Sequence, residues 1–150
     1  MATYVNLDKI KATAHIESIV ANVDLQNGQF LELGALQADG EARLATPSGD
    51  VTKGLVFHAS VPLTYEDRTN ELDFVLKAGK EGRAYVLETG NTISISESAV
   101  SGGAKKGDKV VPAPTGFAKA TEAVTGLHGD VIDIEVNAIA GKMVVIRITA

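Results

Sequence analysis

Paired strand-like runs constrain the fold of this chain most, and one such pair lies near the C-terminal end of the sequence, at residues 131–136 and 142–149. The first run alternates in character, with Val131, Asp133 and Glu135 on one side and Ile132, Ile134 and Val136 on the other. A period of two residues predicts a strand with one wet face. The second run is apolar on both sides, which predicts a position near a sheet centre or at an interface. Together the two runs predict a hairpin.

The clearest pair of strand-like runs occupies residues 83–89 and 92–96. Only Gly90 and Asn91 separate them, and glycine at the first central position of a two-residue loop favours a type II′ turn. The twist of that turn matches the twist of antiparallel strands. The sequence therefore predicts a second hairpin here.

The dipeptide Asn27-Gly28 separates residues 17–24 from residues 29–33 and predicts a third hairpin. A helix is the alternative for the first of these segments. Its basis is the helical spacing of three apolar residues, Ile16, Ile19 and Val20.

The apolar run at residues 54–61 lies just before Pro62 and predicts a buried strand. Residues 37–50 and 101–108 are rich in turn-forming side chains and are predicted to be surface loops. The polar segment 64–73 shows no strand period, and we expect either an exposed loop or a short helix there.

These patterns predict a mainly β fold, either a compact antiparallel β-barrel or a sandwich-like domain, with at most one or two short helices and long surface loops. A length of 150 residues is typical of one domain. We divide the chain into a candidate N-terminal arm, residues 1–13, and a single β-rich domain, residues 14–150. The alternative for the arm is a first strand paired within the domain.

Charge and composition narrow the classes of partner. The net charge is −5 and no basic block exceeds Lys105-Lys106, so binding to nucleic acid is not expected. No apolar run reaches the length of a membrane span, and the first residues lack a hydrophobic signal core. Cysteine is absent, which excludes disulfides and thiolate chemistry. We expect the protein to be made and used in the cytoplasm unless an assembly carries it out.

The histidines and serines do not form a recognisable catalytic motif. His15, His58 and His128 are far apart, and none has a partner at metal-ligand spacing. We expect His58 to be packed in a strand and the other two to lie at the surface. No nucleophile elbow surrounds any of the serines in the central region, which are Ser94, Ser96, Ser98 and Ser101.

Two polar segments resemble ligand-binding loops only superficially. The segment with Glu66, Asp67, Glu71 and Asp73 lacks the pattern of an EF-hand, so a solvated acidic loop is expected. Residues 102–108 lack the spacing of a phosphate-binding loop and are predicted to form a turn. We therefore expect no catalytic, cofactor-binding or metal-binding residues, no cofactor and no enzymatic activity.

The overall pattern resembles the small head decoration, or cement, proteins of tailed bacteriophages. Four stretches show the resemblance, at residues 17–34, 52–63, 73–85 and 106–112, and it extends over most of the chain from about Ala14 onward. It implies a virion protein on the outer capsid surface that clamps neighbouring subunits of the major capsid protein. A homo-oligomer, such as a trimer on the capsid, stays open.

Three alternatives remain at this point. One is another phage structural part, such as a tail-tube or baseplate component, and a second is a carbohydrate-binding or adhesion module. The third is a small hydrolase that uses carboxylates of residues 66–73, which would require two of them at catalytic separation in a cleft. A decoration protein also suggests that the arm docks through apolar anchors, for which the candidates are Tyr4, Val5, Leu7 and Ile10.

Overall fold

A computed structural model of the chain describes residues 2–11, 14–60, 74–138 and 140–150. The fold is mainly β, as predicted. Its strands, in chain order, are β1 (Val5–Lys9), β2 (Ile16–Val20), β3 (Phe30–Leu36), β4 (Arg43–Pro47), β5 (Val56–His58), β6 (Gly82–Tyr85), β7 (Thr92–Ser96), β8 (Val100–Ser101), β9 (Lys109–Ala113), β10 (Gly116–Lys119), β11 (His128–Asn137) and β12 (Gly141–Thr149). Within the described ranges, the only helical elements are short 3-10 turns at Val51–Lys53 and Glu97–Ala99.

The strands form a seven-stranded sheet, in the order β1-β7-β12-β11-β9-β10-β8, and a closed barrel of β2-β4-β3-β5-β6. Most neighbours are antiparallel, but β2 with β4 and β8 with β10 are parallel pairs. The barrel strands lie between β1 and β7 in the sequence, so the large sheet is assembled from two distant parts of the chain.

Neighbouring side chains on the barrel strands β3 and β5 point to opposite faces and pack into two different cores. Leu31 and Val56 point into the barrel, where they pack with Ile19 and other apolar residues. Their neighbours Phe30 and Phe57 belong to a larger core that also contains side chains of the seven-stranded sheet. The same short strands therefore close the barrel and attach it to the sheet, which explains why residues 55–60 are all buried.

The predicted hairpin of β11 and β12 is confirmed, and β12 lies between β7 and β11 within the sheet. Its residues Met143, Val144, Val145 and Ile146 are all buried, as expected for a strand near a sheet centre. The buried strand predicted at residues 54–61 is also confirmed, since β5 lies within it.

The facing predicted for the start of β11 is wrong. Val131 is 1% exposed and lies in the core, whereas Ile132 is 41% exposed. Val131 pairs with Ile146 and Asp133 with Val145, so a β-bulge adds one residue and reverses the alternation.

The hairpin predicted between residues 83–89 and 92–96 is wrong. Strand β6 belongs to the barrel and β7 to the large sheet. The intervening turn is closed by a bond from Asn91 N to Glu88 O (3.1 Å), so Gly90, with φ of 96°, takes the second central position. A positive φ at that position belongs to type II turns, which do not match the twist of a two-stranded hairpin.

The hairpin predicted around Asn27-Gly28 is also wrong, although both strands exist. Strand β2 pairs with β4 and β6, and β3 pairs with β4 and β5. The turn instead contacts β5, because Gly28 N donates to His58 O (2.8 Å). The helical alternative for β2 is excluded by its strand pairing.

Predicted loop 101–108 is confirmed, apart from Ser101 at the end of β8. Predicted loop 37–50 contains strand β4, which its Gly and Asp content concealed. Segment 64–73 lies outside the described residues. Among the described helices, none is long and apolar enough to cross a membrane.

Candidate functional site

His58 is the most deeply buried titratable side chain that the sequence singled out, and it lies at the end of β5. Its Nε2 is 2.7 Å from Ser60 Oγ, and its Nδ1 is 2.7 Å from Gln26 O. Because Arg83 N donates to Ser60 Oγ (3.0 Å), the Ser60 hydroxyl hydrogen is free to point to His58 Nε2. Gln26 O can only accept, so Nδ1 bears a proton and donates to it, and donation from Ser60 to Nε2 belongs to the neutral form of the ring.

The surroundings favour that neutral form. Burial lowers the pKa of His58, and the hydrogen bond to the Gln26 carbonyl opposes that shift only in part. Asn27 fixes the backbone of Ser60, since its Nδ2 donates to Ser60 O (3.0 Å) and its Oδ1 accepts from Ser60 N (2.9 Å).

Ser60 and His58 are within the reach of a nucleophile and its base. The Ser60 oxygen, however, is already used as donor and acceptor, and His58 Nδ1 contacts a backbone carbonyl instead of a carboxylate. This network satisfies buried polar groups where the barrel meets the turn at residues 26–29. The packed position expected for His58 agrees with this geometry.

The other histidines make local contacts. His15 is exposed and its Nε2 is 2.7 Å from Glu17 Oε1. His128 is half-buried at the start of β11, with Nδ1 2.8 Å from Gly126 O. Across the described ranges, no group of three or more potential ligand side chains could hold a metal ion.

Ser94 and Ser96 attach the edge strand β1 to β7, a role that the sequence motifs did not predict. The Ser94 hydroxyl donates to the Asp8 carboxylate, and Ser96 Oγ accepts from Tyr4 N (2.8 Å). Both serines are 3% exposed. Their alternation with Ile93 and Ile95 was the available signal, because it places them together on one face of β7.

The predicted turn within residues 102–108 is confirmed by a bond from Asp108 N to Lys105 O (2.9 Å). The Asp108 carboxylate accepts from Lys105 N (2.8 Å) and lies 3.4 Å from Lys119 Nζ. The backbone hydrogen bond from Lys105 is the main cause of a lowered pKa for Asp108, with a smaller contribution from Lys119. The Asp108 carboxylate therefore stabilises the loop of residues 102–108 through its contacts with Lys105 and Lys119. The acidic residues Glu66, Asp67, Glu71 and Asp73 lie outside the described residues.

Asp39 and Glu81 form a carboxyl pair near the β3–β4 turn. Backbone N–H groups of Glu41 and Ala42 lower the pKa of Asp39, while the hydrogen bond with Asp39 is the main cause of a raised pKa for Glu81. Both groups are open to solvent, and Asp39 closes the β3–β4 turn by accepting from Glu41 N (2.9 Å) and Ala42 N (3.2 Å).

The most distinctive surface is the end of the β11–β12 hairpin. Its pairs Val136–Lys142 and Asn137–Gly141 extend past Met143–Ser96, the last pair between β12 and β7. Val136 is 80% exposed, the largest value among the exposed large apolar side chains of the described residues. We call residues 132–136 with 141–142 the hairpin tip and take it as the candidate docking surface.

A shallow groove of about 340 Å³ is a second surface feature, between β9 and the loop of residues 120–125. Its lining includes Val51, Pro112 and Val124, and no charged group is buried in it.

No protein-family model, curated protein or solved structure matches the chain.

Proposed function

We propose that the protein is a structural virion component that binds the outer surface of an assembled phage capsid and clamps neighbouring subunits of the major capsid protein. The sequence pattern from about Ala14 onward motivates this proposal. The observation that supports it best is the hairpin tip, where Val136 is 80% exposed on a strand pair that continues into the core. Ile132 on the same hairpin is also exposed, at 41%, and exposed apolar side chains grouped together mark protein contacts better than single ones do.

The scaffold suits a clamp because its two cores are joined. Strands β3 and β5 contribute side chains to both cores, and β12 continues from the hairpin tip into the larger one. Many copies on a symmetric shell would each need only modest affinity, since neighbouring contacts raise the effective concentration.

Binding to capsids tests this function directly. Purified protein is mixed with expanded capsids that lack it, and co-sedimentation and the opening temperature of the capsid are measured. We expect saturation at a fixed ratio to capsid subunits and a raised opening temperature, because the ligand stabilises the state that it binds. Absence of binding at micromolar protein would contradict the proposal and favour a tail component or an adhesion module.

A pair of variants tests the role of the hairpin tip. Val136→Asp places a charge at the most exposed apolar position, whereas Val23→Asp makes the same change at a side chain that is 51% exposed elsewhere. We expect V136D to weaken capsid binding about tenfold or more, as for a central contact residue, and V23D to leave it unchanged. Equal effects of the two would remove the tip from the docking surface.

The arm hypothesis needs a separate test because residues 5–9 form strand β1, paired with β7. Asn6 and Ser94 are Cα partners across these strands, and the chain has no cysteine of its own. In N6C/S94C an oxidised disulfide would therefore hold β1 in place. If the arm must leave β7 to dock, oxidation weakens binding and a reductant restores it. Equal binding in both redox states would mean that β1 stays in the sheet.

A further inference from the structure

The outer edge of β11 is only partly covered. Along one side β11 pairs with β12 from His128 to Asn137, but on the other side it pairs with β9 only at Gly129 and Asp130. Val131 adds backbone bonds to Gly107 (2.8 Å) and Asp108 (2.9 Å). From Ile132 to Val136, no strand in the described part of the chain pairs with this edge.

The β-bulge at Ile132 begins the uncovered segment. Past it, Ile134 N donates to Asp133 Oδ1 (2.8 Å), a contact within the strand itself. That N–H is therefore engaged by its neighbour's side chain and not by an adjacent strand. A local contact of this kind is exchanged easily for a carbonyl of an incoming strand.

The uncovered segment combines apolar and acidic side chains. Ile132 is 41% exposed and Val136 is 80% exposed. Asp133 and Glu135 are exposed between them, and neither forms a salt bridge among the described residues. The lysines on the adjoining strands have other partners, since Lys109 pairs with Asp130 (2.8 Å) and Lys142 with Glu97 (3.7 Å).

We infer that residues 132–136 of β11 bind an extended segment of a partner protein, one that alternates basic and apolar residues, by β-strand addition. This deepens the proposed function, because it specifies how a capsid subunit would contact the hairpin tip. Backbone hydrogen bonds would supply affinity, and Asp133 and Glu135 would select Lys or Arg at cross-strand positions. The same carboxylates disfavour a second copy of this chain, since two β11 edges would bring like charges together.

A synthetic peptide tests the inference without a capsid. The probe is a short acetylated peptide that alternates Lys and Val, and binding is followed by amide chemical shifts and hydrogen exchange of the full chain. We expect shifts confined to β11 and slower exchange at Ile134. The matched control is the same peptide with N-methyl groups on the backbone nitrogens that would pair, which keeps the side chains but prevents strand addition.

Charge-reversal variants test the selection of basic residues. D133K/E135K replaces attraction with repulsion at two cross-strand positions, and we expect about tenfold weaker binding of the Lys-Val peptide. E41K/E122K changes the net charge equally at exposed residues outside the edge and should bind as the wild type does. Unfolding in urea confirms that both variants are folded.

The outcomes are distinct. If the N-methylated peptide binds as tightly as the unmodified one, only charge attraction operates. If neither peptide binds, the acidic side chains serve only to prevent other strands from pairing with this edge. Either result overturns strand addition while leaving capsid co-sedimentation to judge the proposed function. Conversely, peptide binding at β11 with no capsid binding would retain the edge site and reject the capsid as its partner.

Discussion

The ring of Phe117 meets the ring of Phe30 edge to face, with centroids 5.0 Å apart and planes at 88°. Phe30 comes from the barrel and Phe117 from the seven-stranded sheet, so this pair joins the two parts of the fold. Phe57 completes the cluster at 5.2 Å from Phe30.

We expect the two rings to be energetically coupled. F30L and F117L should each destabilise the protein, and a double-mutant cycle from urea unfolding should give a coupling of about 0.5–1.5 kcal/mol. Phe74 packs against the barrel core instead, so F74L with F117L should be additive. Additivity of F30L and F117L would mean that burial alone, without ring geometry, joins the sheets.

Loss of the His58 side chain should be costly. H58A leaves a cavity and removes the acceptor of the buried Ser60 hydroxyl, and we expect a loss of about 2–4 kcal/mol in unfolding free energy. H15A removes an exposed imidazole and should change it by less than about 0.5 kcal/mol. Chemical denaturation of both variants provides the comparison, and a stable H58A would show that the network can be rebuilt by water.

His58 should also make stability depend on pH. Its pKa is lowered in the folded state from an ordinary value of 6.5, so below that value the unfolded chain binds the extra proton more readily. The contribution of the neutral, buried His58 to the free energy of unfolding is therefore complete above about pH 6.5. It is lost as the pH falls toward the lower pKa of the folded state. Unfolding free energies measured between about pH 5 and 8 should show this slope in wild type and in H15A. The same slope in H58Q would assign it to other groups.

Gly28 should be far less tolerant than Gly40. Both have a positive φ, 94° and 76°, but only at Gly28 would a Cβ collide with a side chain, at 2.7 Å from Ile95 Cδ1. G40A should cost about 1–2 kcal/mol through backbone strain alone. G28A should cost a further 1–3 kcal/mol, roughly, because of overpacking between the turn and the sheet. Thermal unfolding of the two variants measures the difference, and equal losses would show that the sheet moves aside.

Local patterns identified the strands better than they identified their partners. The apolar runs that contain β5 and β12 and the alternating run of β11 are strong strand signals, so the positions of these strands were predictable. Pairing of β2 with β6 depends on residues far apart in sequence, such as Glu17 and Ala84, and no local signal specifies it. The hairpin expected at Gly90 is instead a link between the barrel and the seven-stranded sheet, and Gly90 is at the second and not the first central position of its turn.

The candidate docking surface was less predictable for a similar reason. The bulge at Ile132 depends on pairing with Val145 and Ile146, and alternation alone assigns Val131 to the wrong face. Whether an edge is covered depends on where β9 ends relative to β11, which the sequence does not state. The role of Ser94 likewise required the knowledge that β1 lies beside β7.

The position of β12 has a consequence for how the protein is made. The barrel strands leave the ribosome before every strand of the large sheet except β1, so Phe30 and Phe57 emerge before the sheet against which they pack. That sheet cannot close until residue 149 has emerged, because β12 separates β7 from β11. Newly synthesised chains should therefore pass through a stage with exposed aromatic surface. At that stage they are prone to aggregate with neighbouring nascent chains on the same polysome.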